Sequence, residues 1–564
     1  MFYSMGESKT LSRADKKAAR SDEKKKAIFG YGMFDWAKSA FETSVVSAIL
    51  PAWFAYLFLE ANGVSVNFTD SFSLTADTAW AIATMASALL VAAISPALGI
   101  IADRKAIKMM ALKWFTWLGA GATVLLAIGA YLPIDIAWIF ILITYFLANI
   151  GLNACSVFYN AILPFMGDDE ELDEISNLAF AYGYLGGGIL LLIHLAMVMT
   201  LSGTWVIPFA LASSGLWWFG FAWYTFAHIP EPEVENEMEW QGFRKATKMA
   251  LSELYLTSKE IKKFKVLFLY MFSYFLFIDG INSVTALAGV FGSAVLGIPI
   301  ATLMVVILLV QFVAAPAAIG FTKLAEITSA KTALTIACVG WCVVIILGVG
   351  FAPLMPVDAS EYDALITSED GINYQMSNEE ENIGDLMSEG NFTSLEIDSI
   401  LTKFEDSRFS ILVVDTNGTY DGKFAIGIDN PASIGDEKGD GWAVYLRDNL
   451  WSPLGLGVNI QFLMLGLLSG LLLGGSQGLA RSLFSKIIPE TRSTEFFGFF
   501  GFFGKVAAFI GPFLYALVGG YYGSRAGLIS IALLIVAGTV ILRWVDFEEG
   551  IRVAKEEDIQ NRTV

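Results

Sequence analysis

Long apolar segments recur along the whole chain and are separated by short polar stretches. A helix needs about 20 apolar residues to cross the hydrocarbon core of a bilayer. A chain inside a bilayer must also satisfy its own backbone hydrogen bonds, so each such run is predicted to be a helix. The twelve predicted spans are residues 29–59, 78–102, 114–134, 136–160, 176–200, 204–229, 266–290, 299–322, 332–355, 452–480, 496–520 and 526–543.

The composition favours a membrane protein over a soluble one. Of the 564 residues, 55% are apolar and only 16% are charged, which is too little charge to cover the surface of a soluble protein of this length. The three Cys and two His residues are scattered, so no zinc site is predicted. No basic groove or stacking motif indicates nucleic-acid binding.

The net charge of −19 comes mostly from one segment, because residues 356–450 contain 21 acidic and 5 basic residues. The rest of the chain has a net charge of only −3. If both termini are cytoplasmic, 28 of the 36 Lys and Arg residues lie on the cytoplasmic side. This asymmetry predicts cytoplasmic termini, because positively charged loops stay inside.

Internal similarity predicts two six-helix halves. Three pairs of segments match in the same order, namely residues 35–39 with 279–283, 159–164 with 484–489, and 176–186 with 494–504. Two such halves around a central site are the architecture of a major facilitator transporter, an all-α membrane fold with twelve helices. The predicted organisation is a cytoplasmic tail (1–27), an N-terminal bundle (28–230), a cytoplasmic linker (231–265), a C-terminal bundle (266–546) with a non-cytoplasmic insert (356–450), and a cytoplasmic tail (547–564).

The loop after the second span carries a charged motif. Its sequence runs from Gly99 through Asp103 and Arg104 to Lys108, and it resembles the cytoplasmic signature of the major facilitator superfamily. The resemblance implies that these four residues form a conformational switch, in which charges at a helix end latch neighbouring helices. The alternative interpretation is a simple topology anchor at the membrane boundary.

Several stretches of the chain together carry a closer resemblance, namely residues 34–41, 159–161, 183–187, 474–484, 495–498, 504–505 and 511–512, with Asn160, Gln477 and Arg481 as family-motif residues. They resemble the vacuole-effluxer-like family within that superfamily. The resemblance implies a secondary transporter of a small solute, and the fungal branch of the family is linked to amino-acid release from the vacuole. We therefore expect a multi-pass protein of a prokaryotic plasma (inner) membrane, with amino acids as candidate substrates in the efflux direction.

Charged residues inside the first span form one polar stripe. With 3.6 residues per turn, Asp35, Lys38, Ser39 and Glu42 share one face of the helix. A charge at the bilayer centre costs about 2.5–3.5 kcal/mol even on the lenient insertion scale. These residues are therefore predicted to line a substrate or ion pathway, with Lys38 pairing with Asp35 and also within reach of Glu42.

Further polar residues lie deep in two spans of the second half, Asp279 and Asn282 in the seventh and Lys505 in the eleventh. They are predicted to belong to the same pathway, and the alternative is a set of structural ion pairs. Taking a carboxylate out of water favours its neutral form. Asp279, which has no close base, is the first candidate for a proton carrier, and Glu42 is the second. Arg481 is either a helix-end anchor or a functional residue.

The insert 356–450 has no counterpart in the first half, and we expect transport not to require it. Its first part looks acidic and loop-like. Residues 410–415, 424–428 and 442–446 alternate apolar and polar side chains, which predicts short strands. Residues 415–421 have oxygen ligands in a tight loop, which fits either a solvated hairpin or, with departures in spacing, a calcium loop.

Three other functions compete with secondary transport. A channel needs a filter or pore ring, and an enzyme needs clustered catalytic groups at membrane depth; the sequence indicates neither. A receptor or assembly factor on a transporter scaffold is the remaining alternative. We expect no enzymatic activity, no cofactor, coupling to protons, and no obligate protein partner. The expected contacts are a small-molecule substrate and the lipid bilayer.

Overall fold

Most of the chain is described by a computed structural model. Large parts of the predicted tail 1–27 and linker 231–265 lie outside the described residues. The described residues are 20–62, 66–69, 72–74, 76–234, 262–298, 300–369, 372–378, 391–415, 419–428, 430–435 and 439–563.

Six long helices form the N-terminal half. The first begins after Ser21, whose side chain accepts a hydrogen bond from the backbone N–H of Lys24 and so caps the helix. Its segment Phe41–Ile49 is π-helical. Between the first two helices, β1 (Val66–Thr69) and β2 (Phe72–Leu74) pair as an antiparallel hairpin. The six helices are α1 (Asp22–Asn62), α2 (Ala76–Arg104), α3 (Lys108–Tyr131), α4 (Ile134–Ile162), α5 (Leu172–Thr200) and α6 (Val206–His228).

Six more helices form the C-terminal half, and a further helix follows them. Eleven helices in the described part are long and apolar enough to cross a membrane. The twelfth, α11, has 30 residues and includes the apolar stretch Ile510–Gly519. The predicted twelve-helix fold is therefore confirmed. The C-terminal helices are α7 (Lys265–Ala294), α8 (Ile300–Ile327), α9 (Ala330–Val349), α10 (Val458–Lys486), α11 (Ser493–Tyr522), α12 (Ser524–Arg543) and α13 (Phe547–Thr563).

Each half has its own hydrophobic core, and the halves meet along four helix pairs. Helix α2 packs on α11, α5 packs on both α8 and α10, and α4 packs on α11. In a repeat of six helices, α2 corresponds to α8 and α5 corresponds to α11. The α2–α11 contact is therefore equivalent to the α5–α8 contact, as a twofold repeat requires. The space between these contacts is the centre of the molecule.

The start of α1 and helix α13 lie at the same end of the bundle, together with the α2–α3, α4–α5 and α10–α11 loops; we call this the basic end. Arg20 and Lys24 pair with Glu171 of the α4–α5 loop, and Lys555 pairs with Asp169 of the same loop. Burial alone would raise the pKa of Glu171, but the hydrogen bonds from Lys24 and Arg20 outweigh it and lower that pKa. The opposite end carries the insert and is called the insert end.

The insert is a small folded domain with its own buried core. Its five-stranded sheet has the order β5-β4-β3-β6-β7, and the only parallel pair in it is β3 with β6. The helix Ser394–Glu405 contributes Ile397, Ile400 and Phe404 to that core. The strands are β3 (Ala364–Ser368), β4 (Asn373–Asn378), β5 (Asn391–Thr393), β6 (Ser410–Asp415) and β7 (Phe424–Ile426).

Two predictions for the insert need correction. Its first part is not loop-like, because β3 and β4 lie there and pair through their backbones. The predicted strand at 442–446 is a short helix, Gly441–Leu446, because it packs against the bundle instead of joining the sheet: Trp442 donates to the carbonyl oxygen of Ile346. Residues 416–418 of the possible calcium loop lie outside the described residues, and Asp421 accepts a hydrogen bond from the backbone N–H of Asp415.

The segment that follows the sheet fastens the insert to the C-terminal half. Asp440 pairs with Arg525 at 2.9 Å, and both side chains are buried. Replacing only residues 358–428 with a Gly/Ser linker is expected to leave transport intact, because the sheet has a separate core. Extending the deletion to residue 450 removes Asp440, the carboxylate that pairs with Arg525, and breaking a buried ion pair costs about 3–5 kcal/mol. Thermal unfolding and solute uptake of the two deletions should separate them; equal loss in both would contradict the prediction.

Candidate functional site

A central cavity of about 240 Å³ lies between the two halves. Its wall comes from α1, α2, α4 and α5 of the first half and from α7, α10 and α11 of the second. Among the predicted pathway and motif residues, those that line the cavity are Asp35, Lys38, Glu42, Asn160, Asn282, Gln477 and Arg481. Aromatic side chains complete the wall, namely Phe180, Tyr274, Phe497 and Phe500.

Four charged side chains form a continuous chain along this cavity. Arg481 Nη1 lies 3.2 Å from Asp35 Oδ2, and Lys38 Nζ lies 3.3 Å from Asp35 Oδ1. Lys38 Nζ also lies 3.0 Å from Glu42 Oε2. The chain alternates in sign and its formal charge is zero, which is the arrangement that a low-dielectric interior tolerates. The predicted pairing of Lys38 with Asp35 is present.

Arg481 reaches from α10 into the N-terminal half. Its Nε donates to Ser176 Oγ and its Nη2 to the Ser176 carbonyl oxygen, both at 2.9 Å. Its Nη1 is also 3.3 Å from Asn160 Oδ1, and its guanidinium lies 4.2 Å from the ring centre of Phe180. A guanidinium suits such a site because its donors lie in one rigid plane that also stacks on aromatic rings. This buried position between the halves does not fit a surface anchor.

Tyr159 was not predicted as a site residue, although it stands next to Asn160 in one of the family stretches. Its hydroxyl is 3.0 Å from Asp35 Oδ2 and 2.8 Å from the Tyr31 carbonyl oxygen, so it can donate to either. The Tyr159 ring also stacks on that of Tyr31 at 4.2 Å. Tyr159 therefore holds Asp35 in place from within the N-terminal half.

Access to the cavity is from the insert end. Along α1, the exposed fraction of the side chain rises from 3% at Asp35 to 12% at Lys38 and 42% at Glu42. Helix α1 begins at the basic end, so this rise follows the direction toward the insert end. The ion chain thus starts in the sealed part of the cavity and ends at its open part.

The basic end is closed by the switch motif. The carboxylate of Asp103 accepts hydrogen bonds from the backbone N–H groups of Thr494 and Glu495, at 3.0 and 2.9 Å. These N–H groups belong to the first turn of α11, where a negative charge is favourable. Lys108 pairs with Asp103 at 2.9 Å and donates to Ser493 Oγ at 3.2 Å. This geometry fits the switch interpretation, in which a residue of α2 latches a helix of the other half.

Gly99 allows the closest approach at this latch. A Cβ atom at Gly99 would lie 2.6 Å from the backbone carbonyl of Thr494, which is far inside van der Waals contact. Arg104, the last residue of α2, lines a polar cleft beside the same contact. Gly99 and Arg104, like Asp103 and Lys108, therefore lie where the two halves meet.

A second latch at the basic end was missed by the sequence interpretation. Asp173 at the start of α5 accepts from Ser482 Oγ at 2.6 Å and from Lys486 Nζ at 2.8 Å. The hydroxyl of Ser176 also donates to the Gly478 carbonyl oxygen at 2.8 Å. The partners are about 300 residues apart in the chain, so sequence spacing carried no signal for these pairs.

Substituting Gly99 with alanine is expected to weaken closure of the basic end, because the new methyl group must push α2 away from the start of α11. A cysteine at Ser485, which is buried near this interface, should then react faster with a maleimide in a variant that lacks the natural cysteines. Gly121→Ala is the matched control, since a Cβ there would have nothing within 4 Å. Equal labelling rates in the two alanine variants would contradict the prediction.

Asp279 does not line the cavity, contrary to the prediction. Its carboxylate accepts from the backbone N–H of Gly511 at 3.0 and 3.1 Å and from Ser283 Oγ at 3.3 Å. Pro512, which follows Gly511, has no N–H and interrupts the backbone hydrogen bonds of α11. The Asp279 carboxylate accepts a hydrogen bond from the backbone at this interruption and so joins α7 to α11. Its neighbour Asn282 does line the cavity.

Two other predicted pathway residues are not placed in the cavity wall. Ser39 packs on α5, where a Cβ at Gly183 would lie 2.8 Å from its hydroxyl oxygen. Lys505 belongs to α11, and its side chain lies outside the described part of the structure.

Twelve helices in two repeated halves around a central cavity are the fold of major facilitator transporters. Solved structures of such transporters share this fold. A bacterial homologue of the iron transporter ferroportin, in an outward-facing state, covers 93% of this chain and 99% of its own at 12% identity, with a TM-score of 0.53. The proton:xylose symporter XylE covers 93% and 95% at 12% identity, with a TM-score of 0.52.

The family assignment comes from the sequence. The model of the family described as "Vacuole effluxer Atg22 like" matches residues 23–354 and 441–555, so the chain belongs to this family. The match leaves out the sheet of the insert. An uncharacterized MFS-type transporter of Bacillus subtilis, YxiO, is 24% identical over 93% of this chain and 96% of its own. Autophagy-related protein 22 of Saccharomyces cerevisiae is 29% identical over 19% of this chain and 20% of its own.

Proposed function

We propose that this protein is a secondary active transporter that moves a small solute by alternating access. The observation that carries the proposal is the central cavity, which is open toward the insert end and closed at the basic end by contacts between the halves. Asp103, Lys108, Asp173 and Arg481 each contact the opposite half through hydrogen bonds or ion pairs. Such contacts can break and re-form when the halves rock, so the same cavity can face either side.

The basic end is proposed to face the cytoplasm of a prokaryote, with both termini on that side. The positive-inside rule supports this orientation, because 28 of the 36 Lys and Arg residues fall in the tails and loops assigned to that side. The state described here is then open to the outside and closed to the cytoplasm.

Charge balance supports coupling to a proton or another cation. Opening the basic end separates α10 from α1 and takes Arg481 away from Asp35. The N-terminal half then keeps two acids, Asp35 and Glu42, beside one base, Lys38. Because an unpaired charge in a low-dielectric cavity is costly, one positive charge must be supplied. Glu42, at the accessible end of the chain, is the proposed proton carrier in place of Asp279.

Amino acids are the proposed substrates, and efflux is the proposed direction, on the strength of the family resemblance. An amino acid carries both charges, and the cavity offers acids and bases next to one another. A receptor or assembly factor on the same scaffold is not favoured, because the interhalf latches and the charged cavity are the parts that alternating access requires. No obligate protein partner is proposed.

Reconstitution into liposomes tests the proposal. The purified protein is supplied with a panel of amino acids and other metabolites, with and without a pH gradient. We expect at least one solute to accumulate only under the gradient, and Glu42→Gln to lose that accumulation. If well-inserted protein moves no solute of the panel under either condition, the receptor alternative gains support. Gradient-driven accumulation by Glu42→Gln would reject this residue as the carrier.

A further inference from the structure

Lys38 occupies an unusual position, since its ammonium group lies between two carboxylates on its own helix. The distances are 3.3 Å to Asp35 and 3.0 Å to Glu42. Asp35 has other partners in Arg481 and Tyr159. For the Glu42 carboxylate, Lys38 is the one hydrogen-bond donor found among the described residues. Lys38 is therefore more important for neutralising Glu42 than for neutralising Asp35.

The helix geometry allows Lys38 to move between these partners. The first α-helical part of α1 ends at Ala40, and the π-helical segment that contains Glu42 begins at the next residue. π-Helical turns are rare and frequently mark functional sites. Both carboxylates are already within reach of Nζ, so a small rotation of the lysine side chain would transfer the ammonium group fully to Asp35.

The charges that a solute can reach favour a cationic group over an anionic one. Arg481 is 4% exposed, and its donors are engaged by Asp35, Asn160 and Ser176. Glu42 is the most exposed member of the ion chain. An anion approaching Lys38 would be repelled by the two carboxylates that flank it. A cation that binds Glu42 would displace only Lys38, which can pair with Asp35 instead.

We infer that Lys38 is a tethered counter-ion that occupies the place of the solute's ammonium group, and that Glu42 is the residue that selects this group. The inference rests on the proposed transport function and specifies how the cavity recognises its substrate. A primary ammonium binds Glu42 when Lys38 withdraws to Asp35. In the empty carrier, Lys38 returns and keeps the cavity neutral.

Lys38 also connects substrate recognition to the opening of the basic end. When the basic end opens, Arg481 leaves Asp35 and Lys38 takes its place. This releases Glu42, so the state open at the basic end needs a cation there, whereas the state described here does not. The position of Lys38 thus couples the opening of the basic end to the availability of the Glu42 carboxylate.

Binding of three small probes to purified protein in detergent tests the inference without requiring transport. The probes are n-butylammonium, n-butyrate and butan-1-ol, which share size and differ in charge. Removing the competing ammonium in Lys38→Met is expected to lower the Kd for n-butylammonium about ten-fold, since that factor corresponds to one modest ion pair. Tryptophan fluorescence or the shift in unfolding temperature measures the Kd. Asp35 keeps Arg481 and Tyr159 in this variant, so we expect it to fold, and Lys38→Gln provides a polar second version.

The controls distinguish a charge effect from added space. Lys38→Arg keeps the cation and should show no gain. Lys331→Met makes the same change outside the cavity, where Lys331 binds the carbonyl oxygens of Arg543 and Val545, and should also show no gain. The inference is overturned if Lys38→Met and Lys38→Gln bind n-butylammonium no better than the parent, if butan-1-ol gains equally, or if the gain survives in the double variant with Glu42→Gln. Failure of liposome transport with the binding gain intact would instead count against the proposed function.

Discussion

Replacing Arg481 with glutamine is expected to abolish transport. The variant loses the ion pair to Asp35 and the two hydrogen bonds to Ser176 that hold α10 against the N-terminal half. Removing one partner of a buried ion pair costs about 3–5 kcal/mol. Every 1.4 kcal/mol changes the equilibrium between the closed and open states about ten-fold. The state closed at the basic end should therefore lose its dominance, and substrate uptake into proteoliposomes should fall to background.

The lysine variant separates charge from geometry at the same position. Arg481→Lys keeps the positive charge but lacks the planar set of donors that reaches Asp35, Asn160 and Ser176 together. We expect it to restore folding yield and only a small part of the transport rate. Arg552→Gln is the matched control, because Arg552 is exposed and, among the described residues, pairs only within its own helix α13, with Glu549 and Glu556. Full transport by Arg481→Gln would show that the gate does not depend on this side chain.

The twelve-helix fold was predictable because span length and apolar content are local properties of the sequence. Bilayer thickness sets the length of each span, and the repeated motifs set the division into halves. The insert was predicted less well. Strand β3 pairs with β6, which follows about 45 residues later, and the segment at 442–446 is helical because of its contact with α9. The alternation of apolar and polar residues does not indicate that β3 pairs with β6 or that residues 442–446 contact α9.

The candidate site was predictable on α1 and less so elsewhere. The stripe formed by Asp35, Lys38 and Glu42 follows from helical periodicity alone, and all three residues line the cavity. Asp279 occupies the place in α7 that Asp35 occupies in α1, yet its carboxylate accepts hydrogen bonds from the backbone of α11. The repeat therefore conserves the position of an acid and not its role. Which face of α7 meets the cavity depends on packing that the sequence of one helix does not show.

Asp103→Asn is expected to slow turnover strongly while leaving substrate affinity within a few-fold. The carboxylate binds two backbone N–H groups of α11 and the ammonium of Lys108, and none of these atoms belongs to the central cavity. An amide oxygen can accept one of those hydrogen bonds, but the amide nitrogen opposes the other and Lys108 loses its ion pair. Hydrogen bonds to a charged group contribute about 1.5–3 kcal/mol, so the closed state should lose about one to two orders of magnitude in relative population.

The two measured quantities for this variant are the rate of solute exchange and the labelling rate of a cysteine at Ser485. We expect slower exchange and faster labelling, because the basic end stays open for longer. Asp135→Asn, an acid-to-amide change in the first turn of α4, is the matched control and should alter neither. A large loss of substrate affinity with unchanged labelling would mean that Asp103 belongs to the binding site. That result would be hard to reconcile with its position, since the carboxylate contacts the start of α11 at the basic end and the ion chain becomes accessible only toward the insert end.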